Sequence, residues 1–146
     1  MRFMIASTTS KDSNLDAPMS NEIFDAYMKF NEEMNKAGVL VASEGLNPAG
    51  ARARVEVKQG KRVLVDGPYA ESKELVGGFY IIDVKSKEEA VQWALRCPTG
   101  MASADVLEIH QLTGDGDIPP ELIERVKKVA PTWYASFTSA SASKKR

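Results

Sequence analysis

Hydrophobic residues recur along this chain with two different periods, and the switches between them outline its elements. Residues 2–7, RFMIAS, are mostly apolar and give way to the polar, turn-prone TTSKDSNLDAP, which predicts a strand and then a loop. The period then lengthens. Ile23, Tyr27, Phe30 and Met34 repeat at helical spacing behind Ser20, a residue suited to cap the first turn, and Gly38 supplies the stop. Residues 39–48, VLVASEGLNP, predict a second strand that breaks at Gly45 and Pro48. In residues 51–66, ARARVEVKQGKRVLVD, the period is two. Ala53, Val55 and Val57 share one face and Arg54, Glu56 and Lys58 the other, with Gln59 and Gly60 placed for the tight turn of a hairpin.

The second half repeats the alternation. GGFYIIDV, residues 77–84, is apolar at successive positions, as expected of an interior strand covered on both faces. Ser86 and Glu89 form a capping box for a helix with Ala90, Trp93, Ala94 and Cys97 on one side and Pro98 at its end. A last strand is predicted over residues 104–112, then a short helix entered through the proline pair at 119 and 120, then a small, polar, finally basic tail read as mobile.

The order is a βα unit, a strand with a hairpin, then βαβ. It predicts an α+β fold: a ferredoxin-like split βαβ arrangement with an added β-hairpin and helices on one face of an antiparallel sheet. In the first strand Phe3 and Ile5 alternate with Met4 and Ala6, and in the fifth element Phe79 and Ile81 alternate with Tyr80 and Ile82. Both sheet faces are therefore apolar, and a symmetric partner laying its own sheet on the second face would cover it, so a homodimer is expected. Residues 1–117 form the expected domain and 118–146 a C-terminal helix and tail.

Length and charge narrow the partners. The 146 residues suit one core, and 43% apolar with 27% charged residues is an ordinary globular composition. With 19 Lys and Arg against 20 Asp and Glu there is no positive excess to hold a nucleic acid or an anionic membrane, so neither partner is expected. The aromatic pair Phe79 and Tyr80 is adjacent on a strand, which sends the rings to opposite faces rather than to one base-stacking platform. A single cysteine, Cys97, and no long apolar run make the cytoplasm the expected location.

Three stretches carry a more specific signal: FNEEMNKAGVLVASEGLNP, DGPYAESKELVGGFYIIDVKSKEEAVQWALRCP and VLEIHQL. In this order and spacing the chain resembles the YCII-related family, in the branch marked by a D-G-P-F motif, although Tyr69 stands where that motif has Phe. The resemblance covers most of residues 1–112 and implies a ferredoxin-like domain pairing into a dimeric α+β barrel. It implies little about chemistry. The family's suspected acid–base pair is a His and an Asp. This chain has no histidine in its first helix and has Cys97-Pro98 where simpler relatives show Asp-Pro, so the pair is not carried over.

The candidate chemistry therefore rests on individual residues. Asp66 ends a strand at a loop, where a carboxylate acts as general base if burial raises its pKa; the plainer reading, which does not exclude the first, is that it bonds backbone amides in an Asp-Gly-Pro turn. Glu44, at another strand end, is expected to approach the same region, with Tyr69 and Lys73 as wall candidates. His110 follows Glu108 by two residues on a strand, which puts both on one face as a possible proton-transfer pair. One Cys and one His make no closed zinc site, and Gly77-Gly78 precedes a strand rather than a helix, so no metal and no cofactor are expected. Two functions fit: a dimeric small-molecule-binding protein with acid–base catalysis centred on Asp66, or a non-enzymatic interaction or regulatory module. The second draws on the D-G-P-F branch, whose members are discussed beside sigma factors.

Overall fold

The computed structural model describes residues 1–10, 19–46, 53–66, 74–98 and 106–142. Six strands and four helices follow in the order β1 (Arg2–Ser10), α1 (Asn21–Lys36), β2 (Leu40–Gly45), β3 (Ala53–Lys58), β4 (Lys61–Asp66), β5 (Glu74–Asp83), α2 (Lys87–Arg96), β6 (Val106–Gln111), α3 (Pro120–Val129) and α4 (Pro131–Ala142). The main sheet runs β2-β5-β1-β6 and every pairing is antiparallel. This is the split βαβ order, with β3 and β4 inserted between its second and third strands as a separate two-stranded sheet.

Local chemistry places the helix ends. The Ile23 amide donates to Ser20 Oγ at 3.3 Å, satisfying one of the four amides that the first turn of α1 leaves unpaired. At the other end the Val39 amide donates to the Met34 carbonyl and the Gly38 amide to the Asn35 carbonyl, with Gly38 at φ 71°. That is a Schellman stop, and the apolar contact that accompanies it is available because Met34 and Val39 are both buried. In α2 the Glu89 amide donates to Ser86 Oγ at 3.2 Å, while the Glu89 carboxylate reaches back one residue further and accepts from the Lys85 amide at 2.9 Å.

The hairpin turn has Gln59 at φ 51° and Gly60 at φ 74°, the two left-handed residues of a type I′ turn, whose twist matches that of its strands. Register then decides what the hairpin buries. Val55 stands opposite Leu64, and both are largely exposed, as is Val57, at 64%, 68% and 71%. The apolar side of this ribbon thus faces outward, and the half-buried side is the one carrying Arg54 and Glu56.

The core lies between the main sheet and helices α1 and α2. Phe3 pairs with Ile82 and Ile5 with Tyr80, so these four share a face, and Phe30 and Met34 of α1 with Ala90, Ala94 and Cys97 at α2 close over it. Phe30 meets Tyr80 edge-on at 5.7 Å between ring centroids and Trp93 at 6.1 Å. On the opposite face Met4, Phe79 and Ile81 remain partly exposed.

The C-terminal segment differs from expectation. Beyond α3 the chain does not leave helical structure at Trp133; it forms α4 through Ala142. Ser and Thr residues of this stretch are accommodated because Ser136 Oγ donates to the Trp133 carbonyl and Thr138 Oγ1 to the Tyr134 carbonyl, at 2.8 and 3.0 Å. No helix among the described residues is long and apolar enough to cross a membrane.

Candidate functional site

The apolar stripe of α1 reaches the sheet only at its C-terminal half. Phe30 and Met34 are buried, whereas Ile23, Phe24 and Met28 are 36–52% exposed. The reason lies in the strands beneath. Under the first turns of α1 the sheet presents Ser7, Ser43, Gly45, Gly77 and Gly78, side chains too small to fill the distance between helix and sheet. A cavity of about 370 Å³ results, within the range of small-molecule sites. Ile5, Tyr80 and Leu107 line it from the sheet, and Met19, Phe24, Tyr27, Met28 and Asn31 from α1 and the residues leading into it.

Gly78 makes this end of the sheet possible. It pairs with both Ser7 and Gly45, and a Cβ on it would stand 2.8 Å from the Glu44 carbonyl oxygen and 3.3 Å from Gly45 Cα. Only glycine allows the backbone of β2 to approach so closely.

Two of the polar residues that line the cavity are chemically distinctive. The Tyr80 hydroxyl shares a hydrogen bond with Ser43, yet burial, reinforced by nearby Cys97 and Tyr27, holds its pKa well above the ordinary tyrosine range. Tyr80 is a neutral donor and acceptor at any physiological pH. The second is Asn31, whose Oδ1 is shut off from solvent, and so from the open space of the cavity, and has no hydrogen-bond partner among the described residues. An acceptor left in that state costs about 1–3 kcal/mol.

The Tyr80 shift has a pH consequence. Below about pH 10, the ordinary tyrosine pKa, folded and unfolded chains both carry the proton and the group adds no pH dependence. Above it the unfolded chain ionises while the folded one resists, so stability should fall as pH rises beyond that point. Urea titrations between pH 8 and 11 should show a steeper alkaline loss in the wild type than in Tyr80→Phe. Equal slopes would mean that Tyr80 ionises as readily folded as unfolded.

The residues singled out in the sequence are dispersed. Glu44, beside Ser43 on edge strand β2, borders the cavity and is exposed. Asp66 ends β4 with its backbone paired to Ala53, in the two-stranded sheet rather than the main one, and its side chain lies outside the described residues. Tyr69 and Lys73 also lie outside them. His110 pairs in register with Met4, which puts it on the sheet face opposite the cavity, where Nε2 is 3.0 Å from the Glu108 carboxylate and both residues are exposed. Among the described candidates, Glu44 alone lines the cavity. No group of three or more His, Cys, Asp or Glu residues able to hold a metal occurs among the described residues.

Asn31 and Ser43 are the site groups that the sequence reading overlooked. The signal for Asn31 was its position, four residues after Tyr27 and three before Met34, an amide on the buried stripe of an amphipathic helix. Ser43 had no such signal, because its importance comes from its cross-strand partner Tyr80.

The model of the YCII-related domain matches residues 1–113, which span the main sheet, the hairpin and the two helices of the core. An uncharacterized protein of Rhizobium meliloti (strain 1021) is 34% identical over 86 residues, covering 58% of this chain and 69% of that protein. Among solved structures, 5-chloro-2-hydroxyhydroquinone dehydrochlorinase from Burkholderia phenoliruptrix AC1100, in complex with 2,5-dihydroxybenzoquinone, is similar over 81% of this chain and 100% of that one, with 13% identity and a TM-score of 0.47. By its family match, the chain belongs to the YCII-related domain family.

Proposed function

We propose that this protein binds a small organic molecule in the cavity between α1 and the sheet. The observation that carries the reading is the cavity itself: apolar walls enclosing a few polar groups, on a floor that residues from four different strands keep clear. Of the described lining residues Glu44 alone carries a formal charge, so binding would rest on apolar contact and hydrogen bonding. Acid–base catalysis belongs to the same proposal, with Glu44 at the cavity border as its carboxylate.

The test is a thermal-shift screen of compact organic compounds on wild type and Ser7→Leu. A ligand that prefers the native state raises apparent stability by mass action, about 2.7 kcal/mol at a hundredfold excess over Kd. Leucine at position 7 projects into the cavity and takes up part of it, so hits on the wild type should weaken markedly in a variant that melts at the same temperature or higher. Hits that stabilise both proteins equally would move the ligand elsewhere, and a screen with no hits would sink the proposal.

The working unit we propose is a cytoplasmic homodimer joined through the second sheet face. Its support is that Met4, Phe79 and Ile81 stay partly exposed at the centre of that face, flanked by the exposed pair Glu108 and His110. Light scattering should give twice the 16.0 kDa chain mass, and Ile81→Arg should return the protein to that mass by burying an unpaired charge at the interface. A wild-type monomer at tens of micromolar would refute the dimer.

A further inference from the structure

We propose that the β3–β4 hairpin is an arm received by a second copy of this chain: its apolar side docks on the partner's α1, over the mouth of the cavity. The proposal builds on the homodimer proposed above and adds a contact that two sheet faces alone do not make. From Ala53 to Val65 no residue of the hairpin is buried. A two-stranded ribbon on its own is marginal in water and needs a further strand or a packed face. This one holds Val55, Val57 and Leu64 largely exposed on one side. Arg62 stands opposite Val57 and so shares that side, near the turn.

The same chain presents a complementary surface. Met19, Phe24 and Met28 line the cavity and are nevertheless exposed at its mouth. Asp25, also exposed, follows Phe24 and precedes Met28 by three residues, which makes it their neighbour on the helix surface. Glu44 is exposed on edge strand β2. Neither these two carboxylates nor Arg62 has an ion-pair partner among the described residues. An apolar patch with a cation at one end thus matches an apolar patch bordered by carboxylates. The chain's own α1 does not receive the hairpin, because with both elements in place the apolar side of the ribbon still faces outward. A second copy is within reach. Packed sheets lie about 10 Å apart and six-residue strands span about 20 Å, so an arm leaving one sheet can pass the edge of the other and meet the helix behind it. The hairpin is inserted between β2, which ends at Gly45, and β5, whose Gly77 and Gly78 line the cavity, so it leaves the sheet at the cavity end. With a two-fold axis along the strands, both hairpins and both cavities stand at one end of the dimer, and each hairpin closes the other copy's cavity.

Cysteines introduced at the exposed positions of Val57 and Met28 read this contact through a short bismaleimide, with the buried Cys97 of the wild type as background. An equimolar mixture of Val57→Cys and Met28→Cys chains should give a product of twice the chain mass on a denaturing gel, several-fold more than either variant alone. In the Val57→Cys/Met28→Cys double variant the link should again join two chains. A link confined within one chain, read by intact mass, would make the hairpin a lid on its own cavity and overturn the exchange. Val57→Cys linking to itself as readily as to Met28→Cys would overturn it in favour of hairpin on hairpin. No link in a protein that light scattering shows to be dimeric would overturn it and leave the sheet-face dimer standing, whereas a monomeric wild type would overturn both. Charge reversal supplies an independent measurement. Arg62→Glu should weaken the dimer about tenfold through its two symmetry-related pairs, and Arg62→Glu/Asp25→Arg should restore it to within about twofold. An Arg62→Glu dimer as tight as the wild type would also overturn the proposal.

Discussion

Phe30→Ala should cost about 3–5 kcal/mol of folding stability, the range for removing a large buried ring from a packed core. Phe30 is 4% exposed and makes edge-on contacts with two other rings, so truncation forfeits its burial and both aromatic contacts and leaves a void. The surrounding groups are poorly placed to collapse into it. Tyr80 is held by β5 between two neighbouring strands, and Trp93 by α2, whose N-terminus is fixed by its capping box. Against a typical total of about 5–15 kcal/mol the loss is large, and a melting temperature lower by about 10 °C or more is expected. Phe30→Leu, which refills most of the volume, should cost about 1 kcal/mol. Urea unfolding monitored by Trp fluorescence measures both. If alanine costs no more than leucine, Phe30 is not the hub of this core.

Much of the fold was legible because its determinants are local. Ser20, Gly38, Ser86 and the Gln59-Gly60 turn each act within a few residues, and the structure uses each of them as a cap, stop or turn. The antiparallel split βαβ order followed from counting elements. What the pattern left open was which apolar faces find a cover. Alternation correctly put Val55 and Val57 on one side of the hairpin, but periodicity carries no sign, and that side turned out to be the exposed one. The last helix was missed for a different reason. Ser, Thr and Ala between residues 135 and 142 are weak signals of any element, and only hydroxyls bonding back to carbonyls of the preceding turn reveal the helix.

The site was less legible than the fold. Its distinctive feature is a space, made by Ser7, Ser43, Gly45 and Gly78, which are far apart in sequence and meet only through strand register. No single one of these residues looks chemical. The residues that do look chemical, His110 and Asp66, lie on the far face of the sheet and at the end of the separate hairpin. Titratable residues advertise themselves in a sequence, whereas a cavity built by omission does not.

The omission at Gly78 leads to the most direct test of how sheet register makes the site. In Gly78→Val a branched side chain must occupy the place where the Glu44 carbonyl oxygen would lie 2.8 Å from Cβ, and backbone cannot rotate away as a side chain can. β2 is an edge strand, paired on one side only, so it can yield by sliding off β5, which limits the stability loss to about 1–3 kcal/mol. Function should suffer more than stability. The same movement carries Ser43 and Gly45 out of the cavity wall, detaches the Tyr80 hydroxyl from Ser43, and should weaken any ligand found by thermal shift by about tenfold or more. Gly45→Ala is the matched control for the strand: its Cβ would meet nothing within 4 Å, so it should change stability by less than about 0.5 kcal/mol and leave the pairing of β2 with β5 in place. Equal damage from the two substitutions would show that glycine is needed here only for a flexible strand end. Damage confined to Gly78 would place the requirement in the close approach of β2 to β5, the contact that keeps the cavity wall in position.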